Sequence, residues 1–180
     1  MLRVLVIIGS DSDLLQCEQG LKLLNKAVVN GEVQVVGVFT GSIHRNTDEV
    51  LGWLREATVV VPAINCIITA AGWANHLTGT CDAYLRHTLK NNSIAVYGVA
   101  IEDAKNADHT LAACLSISEV PGTQVIFKDV GGKQFIGSKG FVAACALAIS
   151  KKGTVIKLSE TKLTQVRSLN NALEIIESKK

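Results

Sequence analysis

The sequence predicts an α/β protein: a three-layer sandwich around a central parallel sheet, with an added C-terminal helix. Three observations carry that expectation. Short β-branched runs alternate with segments of helical period along the chain. The connections between them are short, which suits parallel strands joined through covering helices. Of the 180 residues, 48% are hydrophobic, enough to bury a core without disulfide or metal staples.

Residues 4–8 form an apolar, β-branched run ending at Gly9, the pattern of a strand buried on both faces. Leu14, Cys17, Leu21, Leu24 and Val28 recur at spacings of three and four, one face of an amphipathic helix. Asp13 followed by Gln16 resembles a capping box, which would start that helix at Asp13. A second strand is expected over residues 33–39. A second helix follows from residues 46–48, with Val50, Trp53, Leu54 and Ala57 inward. Residues 66–70 read as a third strand, 72–76 as its exit loop and 80–89 as a helix. Residues 94–99 form a fourth strand, 108–115 a helix and 125–127 a fifth strand. Glycines at 131, 132, 137 and 140 mark a flexible loop. Residues 141–149 are apolar all round, so a buried helix is expected. A last helix, about 159–177, carries Leu163, Val166, Leu169, Leu173 and Ile176. There is no internal repeat and no linker composition, so residues 1–180 read as one domain.

Composition excludes several classes. Two prolines and a high apolar content argue against a disordered chain. The longest apolar run, 141–149, is too short to span a bilayer, and the quick arrival at Asp11 argues against a signal peptide. The net charge of +2 and the 4% aromatic content argue against a nucleic-acid binder. The charge is uneven, with a balance of −4 over residues 1–127 and +6 over 128–180. That pattern suits a solvated or subunit-facing terminal helix. Cys17, Cys66, Cys81, Cys114 and Cys145 are widely spaced among apolar neighbours. They read as buried free thiols in a reducing, cytoplasmic setting. No C-x-x-C pair points to zinc.

Ligands of parallel sheets bind at the carboxyl ends of the strands, and three polar loops fall there. Gly9-Ser10-Asp11-Ser12-Asp13 lies between a strand and a helix N-terminus, where backbone N–H groups and the helix dipole favour an anion. Ser10 and Ser12 could donate to phosphate and Asp13 could accept from ribose; a plain capped turn is the alternative. The loop is neither a Walker A nor a G-x-G-x-x-G motif. Gly41-Ser42-Ile43-His44-Arg45 offers a guanidinium fork for phosphate and an imidazole that exchanges protons near neutral pH, against a reading of His44 as a loop or cap residue. In Asn75-His76-Leu77-Thr78-Gly79, His76 either lines a pocket or belongs to a capped helix entry. His87 and His109 fall within expected helices and read as structural. His44 and His76 lack a carboxylate at ligand spacing, so a metal is not expected, and no G-x-S-x-G elbow supports serine hydrolase chemistry.

Taken in order, these loops resemble the N5-carboxyaminoimidazole ribonucleotide mutases and aminoimidazole ribonucleotide carboxylases of purine biosynthesis. Residues 9–13 match the family's Gly-Ser-x-Ser-Asp, and Ser42-Ile43-His44-Arg45-Asn46-Thr47 is similar to its Ser-Ala-His-Arg-Thr-Pro. Ala74-Asn75-His76-Leu77-Thr78-Gly79 is similar to its Ala-Ala-His-Leu-Pro-Gly, and Leu115-Ser116-Ile117 with Pro121-Gly122 to its Leu-Ser-Ile-x-x-Met-Pro. The resemblance covers roughly residues 4–150. It implies a flavodoxin-like three-layer fold, a homo-octamer with sites between subunits, a nucleotide monophosphate substrate, and no metal or organic cofactor. Ser10, Ser12, Ser42 and Arg45 would then hold phosphate and Asp13 the ribose. His44 would be the proton-transfer group, and Gly72, Trp73 and His76 would line the rest of the site. Arg45, where the carboxylases usually carry Lys, points to the mutase branch. The departures are Trp73 for Gly, Asn75 for Ala, Thr47 and Thr78 for prolines, and a longer 128–140 segment. A nucleotide-binding protein without turnover, or a related carboxylase or decarboxylase with another phosphorylated substrate, are the competing readings. Trp73 is expected to face the pocket or its rim.

Overall fold

The computed structural model describes residues 1–59, 62–122, 124–150 and 164–179. Five parallel strands form one sheet in the order β2-β1-β3-β4-β5, with β1 Leu2–Ile8, β2 Val33–Thr40, β3 Cys66–Ala71, β4 Ala95–Ala100 and β5 Val125–Ile126. This is the flavodoxin-like order. Its reversal between β1 and β3 opens a crevice at their carboxyl ends, because the chain leaves the two strands in different directions.

Burial follows the pleat. Val4, Val6 and Ile8 join the core beneath α1 (Leu14–Val29) and α5 (Gly137–Ser150). Leu5 and Ile7 point the other way, into the core beneath α2 (Thr47–Val59) and α3 (His76–Ala83). The continuous apolar runs of β1, β3 and β4 are therefore buried on both faces. α4 (Ala107–Ser118) packs against α3 and β4.

Several boundaries differ from the sequence expectation, each for a local reason. The capping box does not form: Asp11–Asp13 is a 3-10 turn and Asp13 already has helical backbone, so its side chain makes no cap bond. Gln16 instead reaches the loop after β4, donating to the Glu102 carbonyl at 2.6 Å and accepting from the Glu102 N–H at 3.0 Å. α3 starts at His76 rather than near residue 80, because Asn75 is its N-cap, and it runs on through a π-helical turn, Tyr84–Thr88. Gly137 and Gly140 belong to α5, not to a loop. A side chain at 140 would drive its Cβ into the Phe135 backbone, so the helix enters only with glycine there. α5 is also not buried all round, since only Gly137, Gly140, Phe141, Ala144, Cys145 and Ala148 are enclosed. The C-terminal helix α6 spans Leu169–Glu177, opened by the Ser168 side chain accepting from the Asn171 N–H at 3.2 Å. Val166 precedes it, and the expected segment 159–163, with Leu163, lies outside the described residues. Leu169, Leu173 and Ile176 stay exposed on α6.

All five cysteines are buried and free. Burial pushes the Cys17, Cys66 and Cys81 thiols up to about 12, which leaves them unreactive at neutral pH. Among the described residues, no helix is long and apolar enough to cross a membrane.

Candidate active site

Three consecutive loops build one cleft at the β1/β3 crevice. Gly9 closes the first: its N–H donates to the Ala70 carbonyl at 2.8 Å, and a Cβ there would lie 2.7 Å from that of Ala71. That close approach delivers Ser10 and Ser12 to the rim, their hydroxyls 2.6 Å apart. The Asp13 carboxyl turns inward and accepts from Ser10 and from the Gly72 backbone N–H. In the second loop, buried Ile43 is the anchor, and the Ser42 carbonyl accepts from the N–H groups of Arg45 and Asn46 at 3.1 and 2.7 Å. Thr47 donates to the Ile43 carbonyl, which ties the first residue of α2 back to the loop.

The third loop carries His76 to His44. Their rings are nearly perpendicular, with His44 Nε2 2.8 Å from His76 Nδ1. One ring must donate and the other accept, so the pair shares a proton. Behind them Asn75, fully buried, accepts from the Thr78 N–H and hydroxyl at 3.1 and 2.9 Å, and donates to the Val99 carbonyl at 2.9 Å. The Thr78 hydroxyl also lies 2.8 Å from that of Thr69. Asn75 and Thr78, both departures from the family pattern, thus satisfy one another.

The resulting cleft holds about 500 Å³. Ser10, Ser12 and Asp13 line it from the first loop, Ser42, His44 and Arg45 from the second, and Gly72 and Trp73 from the third. His76 does not line the cleft and reaches it through its bond to His44. Trp73 sits at the rim, 66% exposed, with φ +57°. The left-handed region costs a residue with a side chain on the order of 1 kcal/mol, whereas glycine occupies it freely. The indole stacks on His109, ring centroids 4.2 Å apart and planes 20° from parallel. His109 does belong to a helix, as expected, but it does more than pack there. It lies on α4 beside the cleft, its Nδ1 2.8 Å from Asp103 Oδ2. Nothing local in the sequence signals the contact with Trp73, which only the packing of α4 creates.

A model of the family described as AIR carboxylase matches residues 3–168. The chain belongs to the AIR carboxylase family. It is accordingly an enzyme with a role in purine biosynthesis. The solved structures of a variant of Treponema denticola PurE2 and of Treponema denticola PurE are similar in fold, with TM-scores of 0.56 and 0.53. Each is 16% identical, and each match covers 99% of this chain and 96% of the other. No curated protein matches the chain.

In this AIR carboxylase family member, burial raises the Asp13 carboxyl above its usual 3.8, against the opposing hydrogen bonds of Ser10 and Gly72. With the folded value above the unfolded one, the native state favours the protonated acid. Ionised Asp13 therefore costs stability, increasingly as pH rises from below 3.8 through the folded value. Asp13→Asn is expected to raise the midpoint of thermal unfolding at pH 7, with the gain shrinking toward pH 3. A gain independent of pH, followed by calorimetry, would reject this account.

Proposed function

We propose that the chain is a mutase that moves the carboxylate of N5-carboxyaminoimidazole ribonucleotide from nitrogen to carbon 4. The observation that carries this reading is the hydrogen-bonded His44–His76 pair beside a cleft whose other groups are Ser10, Ser12, Ser42 and Arg45. The hydroxyls, the Arg45 fork and the adjacent N-terminal turn of α1 suit a phosphate dianion. Asp13, which would repel phosphate, suits ribose hydroxyls. His44 gives a proton to the ring-bound nitrogen as the N–C bond of the carbamate breaks and CO2 leaves. The enamine-like carbon 4 attacks the trapped CO2, and His44 takes back the proton displaced from carbon 4. Confinement supplies the effective concentration that free CO2 lacks. Protons and electrons balance without metal or organic cofactor, and His76 exchanges the shared proton with His44.

The test is to supply two substrates separately and follow 4-carboxyaminoimidazole ribonucleotide. Product from the carbamate nucleotide, and little from aminoimidazole ribonucleotide plus bicarbonate, is expected. Product only from the second pair would make the chain a carboxylase. Tight nucleotide binding with no product from either would favour a binding protein, or a related enzyme for another phosphorylated substrate, a reading that Trp73 at the rim supports.

We further propose a cytoplasmic homo-octamer. The exposed Leu169, Leu173 and Ile176 of α6 and the half-buried outer face of α5 provide apolar surface for subunit contact. Light scattering at micromolar concentration is expected to give about eight times 19.2 kDa. A mass near 19.2 kDa would exclude any oligomer.

A further inference from the structure

We propose that Trp73 is the stacking wall for the planar ring of the ligand, and that His109 is the positioning residue that holds it there. This rests on the reading of the cleft as a nucleotide site. Trp73 lines the same cleft as Ser10 and Arg45, so a ligand whose phosphate meets those groups carries its ring toward Trp73 at the rim. One face of the indole is taken by His109, and two thirds of the residue remains open. An open indole in the left-handed backbone region is held against both solvent and local strain, and the holding group is itself fixed at both ring nitrogens.

The hydrogen-bond roles in that support follow from its geometry. Asn106 caps α4 with its carbonyl oxygen, which accepts from the Asp108 N–H at 3.0 Å. Its amide nitrogen therefore faces His109 Nε2, at 3.2 Å, and donates to it. Nδ1 then carries the ring proton and donates to Asp103. Asp103 also accepts from the N–H groups of Lys105 and Asn106, while its own N–H donates to the Thr110 hydroxyl. The His109 bond, with those backbone donors, holds the Asp103 carboxyl below the usual range. His109 is absent from the cleft wall, so it acts on a ligand only through the indole. A flat heteroaromatic ring is the group such a wall recognises. Stacking of a base on an aromatic side chain is worth about tenfold to a hundredfold in affinity.

The experiment compares ribose 5-phosphate with aminoimidazole ribonucleotide by titration calorimetry on the intact protein. The ratio of their dissociation constants isolates the ring. Trp73→Gly, which suits the backbone at 73, is expected to cut that ratio about tenfold while ribose 5-phosphate still binds. Trp73→Phe should keep most of the ratio. His109→Ala should lower it severalfold and raise KM far more than it lowers kcat, and His109→Phe, which can still stack, should restore part of it. A ratio unchanged in both Trp73→Gly and His109→Ala overturns the proposal. So does loss of the oligomer in Trp73→Gly with the ratio intact, which would place the indole against a second copy. A wild type that binds ribose 5-phosphate without any added affinity from the ring sinks this inference alone. A wild type that binds neither sinks the nucleotide reading as well.

Discussion

His44→Asn is expected to lower conversion of the carbamate nucleotide by about 10²- to 10⁴-fold, the range for losing a positioned acid/base. Nucleotide affinity should stay within about tenfold, because asparagine keeps a polar group of similar reach while the phosphate groups are untouched. The reason lies in the pair with His76. In the proposed reaction the imidazole at 44 both gives a proton to the carbamate nitrogen and receives the one from carbon 4, and the 2.8 Å bond to His76 keeps the ring aimed. His76→Asn should cost less, since it removes the partner and leaves the acid/base in place. Single-turnover kinetics decide the matter: conversion by His44→Asn within about tenfold of wild type excludes His44 as the acid/base.

The largest effect on stability is expected at Asp82, which does not line the cleft. Asp82 and Arg86 form a buried ion pair, Oδ1 to Nη2 3.0 Å, between α3 and its π-helical extension. Arg86 also donates to the carbonyls of Asn91 and Ile94 at 2.8 and 2.7 Å, and Asp82 accepts from the Gln124 N–H at 2.9 Å. The pair thus ties one helix to the entrances of β4 and β5. Burial pulls the Arg86 pKa down, and Asp82 opposes that pull. Asp82→Ala leaves the guanidinium buried without its anion, and removing one partner of such a pair costs about 3–5 kcal/mol. For a chain of this length that lowers the unfolding midpoint by roughly 10 °C. The double variant Asp82→Leu/Arg86→Met should recover much of the loss, because no lone charge remains. Calorimetry showing Asp82→Ala within about 1 °C of wild type would reject the pair as a structural element.

The sheet was legible because parallel strands buried on both faces leave an unmistakable trace, as in the unbroken apolar stretches of β1, β3 and β4. The polar loops that follow β1, β2 and β3 were legible for a related reason, since polar residues at strand exits stand out against such runs. The start of α3 was not, because Asn75 looks like an ordinary loop residue until its partners Thr78 and Val99 are in place. Asp13 resembles a cap by spacing alone, but the 3-10 turn before it has already rotated its carboxyl toward Gly72. The stacking of His109 on Trp73 was hidden because the two are distant in sequence, and stacking between a loop and a helix leaves no periodic signal.

The bonds that join Asn75, Thr78 and Thr69 have a consequence for how this chain can change. Asn75→Ala alone strands the Thr78 N–H in the core, and Thr78→Pro alone strands the Asn75 oxygen. Gly98 adds to the constraint: a Cβ there would lie 2.7 Å from the Thr78 methyl, so the strand has closed around threonine. The two positions are therefore epistatic, and a path back to the family's Ala and Pro crosses a less stable intermediate whichever step comes first.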